Sequence, residues 1–339
     1  MKAQNSFFQN KKTIVSFVLS LLVFYIHFCA FSAFQEAEGF FAYALEQLLI
    51  LTKVAVPLFF VISAVLFYRN YDLSMTLSKW KSRCFSLLIP YLIWNSIWLS
   101  LALLGNYTPL GSVLGGVKAV FSLETLLKGI FLYGYFQPFW FIYELILLTA
   151  LCPLIYLLLK NKWVGLAGIS AYFLAIALGF KVTTPRFPNS DAVLFYLMGA
   201  WIGMHHFPDF TKRSSSNRAL LGLALCLLCC IFFKTQALLP QWCSSPAVTF
   251  LMVSLFSGSA WVAFDLFSME SCPSFMEHSF LMYALHSFLG AAFSTVLRKL
   301  LPSLFLTALL SFCLTVLTVC VAGKLLNKLP RLKKILIGR

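Results

Sequence analysis

The run TIVSFVLSLLVFYIHFCAFSAF, from Thr13 to Phe34, decides the fold class of this chain. It contains no Lys, Arg, Asp or Glu, and a helix of this length, at about 1.5 Å of rise per residue, crosses the roughly 30 Å hydrocarbon core of a bilayer. His27 lies near one end of the run. An ionisable group in such a segment is costly in lipid and marks a candidate functional site. The alternative is a histidine at the membrane–water interface that only hydrogen-bonds a neighbouring helix.

The composition of the whole chain supports the same fold class. Hydrophobic residues make up 60% of the 339 residues and charged residues 11%, whereas a soluble chain carries roughly 25% charged residues. The net charge of +15 arises mainly from basic residues in short loops between apolar segments. Membrane topology explains such loops, so we expect no nucleic-acid partner. The ten cysteines lie mostly in apolar runs without repeated CxxC spacing, so we expect neither a metal site nor disulfides.

The hydrophobic pattern predicts an all-α polytopic membrane protein with about ten transmembrane helices. Most Lys and Arg residues fall in loops on one side if the N-terminus is cytoplasmic, which places the C-terminus there too. We therefore predict one integral-membrane domain over residues 1–339, in the cell (inner) membrane, with residues 105–138 as the longest outer connection. The predicted spans are 13–34, 45–67, 84–104, 139–159, 163–180, 191–204, 219–235, 247–268, 278–296 and 302–323.

Two candidate site residues, Lys53 and Ser63, lie in the second predicted span. Lys53 either snorkels to the interface or faces a cavity and binds an anion. Pro57, four residues later, lacks a backbone donor and clashes with the preceding turn, so we expect the helix to bend there. Ser63 is placed to hydrogen-bond within that bend.

Other ionisable residues also interrupt apolar segments. Glu144 is a single carboxylate among aromatic residues and needs a cationic partner, for which Lys53 is a candidate. His286 lies in the middle of the ninth span, and Asp265, near the inner end of the eighth, is expected to contact water. Together with His27, these residues favour a polar cavity inside the helical bundle. A structural His286, satisfied by core hydrogen bonds, is the alternative.

The order and spacing of the apolar motifs resemble those of the integral-membrane acyltransferase family 3 over nearly the whole chain. No single motif is specific, because each is an apolar run with one or two markers. Besides His27, the matching stretches are VPLFFVIS (Val56–Ser63), RCFSLLIPYLIW (Arg83–Trp94), FWFIYELILLTALCPLI (Phe139–Ile155), LFYLMGAWIG (Leu194–Gly203), SFLMYALHSFL (Ser279–Leu289) and a basic tail that ends in Gly338-Arg339.

The resemblance implies a function. Members of this family O-acylate carbohydrates outside the cytoplasm and use acyl-CoA from within. We therefore expect an O-acyltransferase, in particular an O-acetyltransferase, with acyl-CoA as co-substrate and no bound cofactor. Its expected partners are acyl-CoA, a carbohydrate acceptor, the lipid bilayer and proteins of surface-polysaccharide (exopolysaccharide) biosynthesis. The expected catalytic residues are His27 and His286, and the expected substrate- or acyl-donor-binding residues are Lys53, Ser63, Arg83, Glu144 and Trp140.

This chain departs from the family pattern at three places. Many members carry an arginine eleven residues before the first-helix histidine, where this chain has Ser16. The family's Ser-Gly is Ser63-Ala64 here, and Pro57 replaces a frequent acidic residue. These departures leave open a second interpretation, a transporter of a polysaccharide or lipid-linked glycan that uses the same polar cavity. Against this alternative, the sequence contains no repeat-related pair of broken helices.

Overall fold

The computed structural model describes residues 2–29, 39–105, 119–180, 188–267 and 271–338. Over these ranges the chain is all-helical, with 87% of residues in helices and no β-strand. Residues 106–118 of the predicted outer connection and the end of the first predicted span, residues 30–34, lie outside the described ranges.

The helices follow one another with short connections, and several begin at a Ser or Asn whose side chain accepts a hydrogen bond from a backbone N–H of the first turn. In chain order they are α1 (Lys2–Cys29), α2 (Gly39–Leu49), α3 (Ala55–Tyr68), α4 (Thr76–Arg83), α5 (Ile89–Leu104), α6 (Leu123–Phe131), α7 (Trp140–Ala150), α8 (Cys152–Leu159), α9 (Lys162–Ala177), α10 (Ser190–His205), α11 (Phe207–Thr211), α12 (Ser216–Thr235), α13 (Pro246–Ala263), α14 (Ser279–Leu300), α15 (Leu304–Asn327) and α16 (Pro330–Ile337).

In the part of the chain that the structure describes, each predicted span overlaps helical segments, but the helices differ in their capacity to cross a bilayer. Within the described ranges, seven continuous helical stretches are long and apolar enough to do so, and two of them consist of α2 with α3 and of α4 with α5. An eighth span is present if α7 and α8, which are bent by 65° at their junction, form one crossing. Helix α9 is shorter, at 16 residues. The chain is thus a multi-pass membrane protein, and the count of ten and the orientation of the termini remain predictions.

The helical path is irregular one turn before Pro57, and the bend expected at Pro57 stays a prediction. A 3₁₀ segment, Ile50–Val54, joins α2 to α3. Because Pro57 cannot donate to the carbonyl group four residues earlier, the α-helical ladder loses a hydrogen bond in this turn.

The chain divides into two compact units. Unit 1 comprises Met1–Leu19, Ile50–Trp80 and Leu147–Met276, and unit 2 comprises Ser20–Leu49, Lys81–Ile146 and Glu277–Arg339. In unit 1, α3 packs against α10 and α12 packs against α13. In unit 2, α14 packs against α15, and α5 packs against α6 and α16.

The structure corrects the expectation that Asp265 contacts water. Asp265 is buried in unit 1 and forms an ion pair with Lys11, with Nζ and Oδ1 2.7 Å apart. The backbone N–H of Ser214 donates to its other oxygen at 2.9 Å, and the Lys11 ammonium also lies 4.1 Å from the ring centre of Trp261. Lys11 is therefore a buried structural cation rather than a solvated loop residue.

In unit 2, the C-terminal helix α16 is held against the start of α5. The indole N–H of Trp94 donates to the carbonyl oxygen of Leu336 at 2.9 Å. Helix α16 ends at Gly338, whose φ of +75° lies in the left-handed region. A Cβ atom there would come within 2.5 Å of Ser86 Cα, so only glycine allows this close approach.

Candidate functional site

The structure brings His27 and His286 together in unit 2. His27 projects from α1 and His286 from α14, and their ring centres are 5.1 Å apart with 41° between the ring planes. His286 is fully buried, whereas His27 is only half-buried. The pair therefore combines an enclosed imidazole with one that a substrate can reach.

The hydrogen bonds of His286 fix its tautomer. Its Nδ1 atom lies 2.8 Å from the carbonyl oxygen of Tyr283 and 3.2 Å from that of Met282. Because carbonyl oxygens only accept, Nδ1 carries the proton in neutral His286, and Nε2 is left with a free lone pair. Nε2 has no hydrogen-bond partner among the described residues. His286 is thus a preset hydrogen-bond acceptor beside His27.

Aromatic side chains surround the histidine pair. The ring centres of Phe24, Tyr283 and Phe136 lie 5.8, 6.1 and 6.3 Å from that of His286. Phe24 in turn stacks on Phe312 of α15 at 4.6 Å. Such walls exclude water, and charges interact more strongly in the resulting low-dielectric surroundings.

Tyr283 ties α14 to the segment that precedes α7. Its hydroxyl donates to the carbonyl oxygen of Pro138, and its ring stacks on Phe139 with centres 5.6 Å apart. Since His286 lies one turn further along α14, these contacts also fix the position of the histidine. The aromatic residues are therefore part of the framework that orients the pair.

Three further predicted site residues belong to the same unit. Glu144 on α7 is buried, and Trp140 at the start of α7 and Arg83 at the end of α4 are half-buried. Burial and the nearby Glu144 carboxylate raise the pKa of Tyr133, which lies in the connection before α7. The Glu144 carboxylate thus lies within electrostatic range of Tyr133.

Lys53 and Ser63 belong to unit 1. Lys53 is exposed, and its ammonium lies 4.8 Å from the ring centre of Phe233. Snorkelling to the interface and anion binding both remain predictions for Lys53. Ser63 is half-buried on α3.

Sequence reasoning missed two residues of α5 in unit 2. Asn95 is 1% exposed and Trp98 5% exposed, yet the Asn95 amide oxygen and the Trp98 indole N–H have no hydrogen-bond partner among the described residues. The sequence does contain an indication of this site, because Asn95 is a polar residue inside the apolar run IPYLIWNSIW (Ile89–Trp98).

Within the described ranges, no group of three or more His, Cys, Asp or Glu side chains could hold a metal ion.

The helices and this site define a multi-pass membrane protein with a histidine pair enclosed by aromatic residues. A family model described as an acyltransferase domain, that of acyltransferase family 3, matches residues 17–324. The chain belongs to this family, so it is a membrane acyltransferase, and the predicted family resemblance is confirmed. No curated protein and no solved structure matches the chain.

Proposed function

We propose that this protein is an O-acyltransferase that moves an acyl group, in particular acetyl, from cytoplasmic acyl-CoA to a hydroxyl of a cell-surface or lipid-linked carbohydrate. The observation that carries the proposal is the contact between His27 and His286, with ring centres 5.1 Å apart in a chain of the acyltransferase family. Family membership also favours acyl transfer over the transporter alternative.

In the first of two routes, His27 acts as a general base. It takes the proton of the acceptor hydroxyl while the oxygen attacks the thioester carbonyl carbon, and positioned proton transfer of this kind contributes about 10²–10⁴-fold. The carbon–sulfur bond then breaks, and the proton passes from His27 to the departing thiolate. His286 Nε2, with its free lone pair, is placed to orient the acceptor or the His27 ring.

In the second route, the His27 imidazole itself attacks the thioester carbonyl carbon, and the carbon–sulfur bond breaks with release of the CoA thiolate. The acceptor hydroxyl then attacks the acylated ring, which regenerates the imidazole, and the proton of the hydroxyl passes to the thiolate. This route divides the transfer into two steps through an acyl-imidazole intermediate. Labelled protein that is isolated after acyl-CoA is added without acceptor distinguishes the routes, because only the carrier route leaves label on the chain.

The other predicted residues retain their proposed roles. The guanidinium of Arg83 is suited to bind the phosphates of the acyl donor. Trp140 and Glu144 belong to the same unit as the histidine pair and are proposed to bind substrate. Lys53 and Ser63 remain donor-binding candidates. We propose the cell (inner) membrane as the location, with surface-polysaccharide biosynthesis proteins as partners.

The test is acyl transfer in membranes that express this protein, with radiolabelled acetyl-CoA and the surface glycan fraction of the host. We expect label in the glycan from the wild type and a loss of about 10²–10⁴-fold in His27→Ala. His206→Ala is the matched control, because His206 is a partly exposed histidine that contacts Asp209 in unit 1. Equal labelling by wild type and His27→Ala would contradict the proposal, and so would glycan export that depends on this chain without any labelling.

A further inference from the structure

The unpartnered polar groups of α5 lie beside the histidine pair. The Trp98 indole stacks on Phe136 with ring centres 4.6 Å apart and contacts Phe288 at 5.6 Å. Phe136 also contacts His286, and Phe288 follows His286 by two residues on α14. Asn95 precedes Trp98 by about one helical turn. Trp98 thus lies near the histidine pair, and the ring of Phe136 contacts both its indole and His286.

Leaving these groups unpaired is costly. A buried donor or acceptor without a partner loses its hydration and gains nothing in return, and native proteins carry few of them. The Tyr91 hydroxyl, one turn before Asn95, lies beside the Asn95 amide and donates to the carbonyl oxygen of Phe131 at 2.8 Å. Towards Asn95 it can therefore only accept from one amide N–H, which leaves the second N–H and the amide oxygen of Asn95 available to a ligand. Such departures from polar satisfaction are expected where a ligand supplies the missing partners.

The chemistry of the unpaired groups identifies the ligand class. Asn95 offers a donor and an acceptor side by side, Trp98 offers a donor, and His286 Nε2 offers an acceptor. A thioester carbonyl only accepts and would leave the Asn95 and His286 acceptors unpaired. A sugar hydroxyl both donates and accepts, and aromatic faces such as Trp98 and Phe136 pack well against the C–H faces of a sugar ring. The set therefore matches a carbohydrate with neighbouring hydroxyls.

We infer that Asn95 and Trp98 form a subsite that binds hydroxyls of the carbohydrate acceptor and positions the reacting one beside the histidine pair. This inference rests on the proposed function. Two variants test it. Trp98→Phe keeps a ring on Phe136 and removes the indole N–H, and Asn95→Leu keeps the approximate volume and removes both amide groups.

The matched control is Trp94→Phe. Trp94 lies on the same helix, one turn before Trp98, and is equally buried, but its N–H already binds the carbonyl oxygen of Leu336. Each variant is assayed for transfer of radiolabelled acetyl from acetyl-CoA to the glycan fraction, with the concentrations of acetyl-CoA and of glycan varied separately. Unfolding temperatures of the purified proteins in detergent are measured in parallel.

We expect the half-saturating glycan concentration to rise about tenfold in Trp98→Phe and in Asn95→Leu, since each loses hydrogen bonds to the acceptor. The half-saturating acetyl-CoA concentration should change less than about twofold. The unfolding temperature of Asn95→Leu should be equal to or above that of the wild type, because a buried amide whose oxygen has no partner is removed. If Asn95 only stabilised the fold, Asn95→Leu would have a lower unfolding temperature than the wild type.

Three results would overturn the inference while leaving the proposed function intact. In the first, Trp98→Phe and Asn95→Leu have the same glycan dependence as Trp94→Phe. In the second, the acetyl-CoA dependence is weakened instead, which would assign the groups to the amides of the acyl donor. In the third, activity falls together with the unfolding temperature. If the wild-type protein transfers no acetyl, the proposed function fails and the inference fails with it.

Discussion

His286 has two ring nitrogens with different tasks. Nδ1–H is committed to the Tyr283 carbonyl oxygen, so the contribution of this residue to the site is the lone pair on Nε2. A glutamine amide reaches the position of Nε2, whereas an asparagine amide reaches only that of Nδ1.

We therefore predict that His286→Gln retains more acyl transfer than His286→Asn, and that the asparagine variant loses about 10²-fold or more of the wild-type rate. The measurement is the initial rate of glycan labelling at equal amounts of inserted protein. Equal loss in both variants would show that Nε2 is not the important atom, and full activity of both would remove His286 from the site.

The ion pair between Lys11 and Asp265 allows a stability prediction at the same scale. Removal of one partner from a buried pair leaves an uncompensated charge and costs about 3–5 kcal/mol. We expect Lys11→Met to be destabilised by about this amount, while Lys11→Met with Asp265→Asn recovers most of the loss. In the double variant, the asparagine oxygen still accepts from Ser214, and the charge is gone.

Unfolding in detergent, followed for the two single variants and the double variant, measures the coupling. Additive losses in the double variant would contradict the buried pair, because additivity is expected only for residues that do not interact.

At the scale of the elements, the packing of α3 against α10 depends on two glycines spaced four residues apart. A Cβ atom at Gly199 would lie 2.5 Å from the Val61 carbonyl oxygen, and one at Gly203 would lie 2.7 Å from that of Val65. Backbones in membranes approach this closely only where small residues line the interface. The stretch GAWIG (Gly199–Gly203) is therefore a helix-packing motif.

We predict that Gly199→Ala is destabilised by about 1–3 kcal/mol, since the extra methyl group forces the two helices apart. Gly258→Ala on α13 is the matched control, because a Cβ atom there meets no atom within 4 Å. The control should be neutral or more stable, by up to about 1 kcal/mol, as alanine favours helix over glycine. Unfolding midpoints in detergent provide the comparison, and a neutral Gly199→Ala would refute close packing at this position.

At the scale of the whole molecule, the number of membrane crossings depends on α9 and α10. Helix α9 has 16 residues, a length of about 24 Å, which is short of a hydrocarbon core of roughly 30 Å. The basic residues before α9 and after α10 nevertheless favour a crossing by each helix, because Lys160, Lys162, Lys212 and Arg213 would then all be cytoplasmic.

We predict that a reporter of sidedness inserted after Phe180 lies outside the cytoplasm, while reporters after Thr211 and after Gly338 lie inside it. Alkaline phosphatase activity and the fluorescence of a fused fluorescent protein distinguish the two sides. A cytoplasmic reporter after Phe180, with the other two unchanged, would reduce the number of crossings from ten to eight.

The sequence alone determined the class of the protein, because a helix must satisfy its own backbone groups in lipid and long uncharged runs have no other stable solution. It also identified His27, His286 and Glu144 as unusual, since each is a costly residue in an apolar segment. It was wrong about Asp265, because the pattern around a single residue does not reveal a cation from another helix, here Lys11.

Only the tertiary structure decided which of these residues meet. His27 and His286 are far apart in the chain, and their proximity depends on how α1 and α14 are placed within unit 2. Packing likewise determines that the Asn95 amide oxygen and the Trp98 indole N–H have no partner among the described residues. The physical reason is that the hydrophobicity of a segment depends only on its own residues, so the sequence shows it directly. Hydrogen bonds and ion pairs depend instead on distances between atoms, and these distances are set by the packing of the helices.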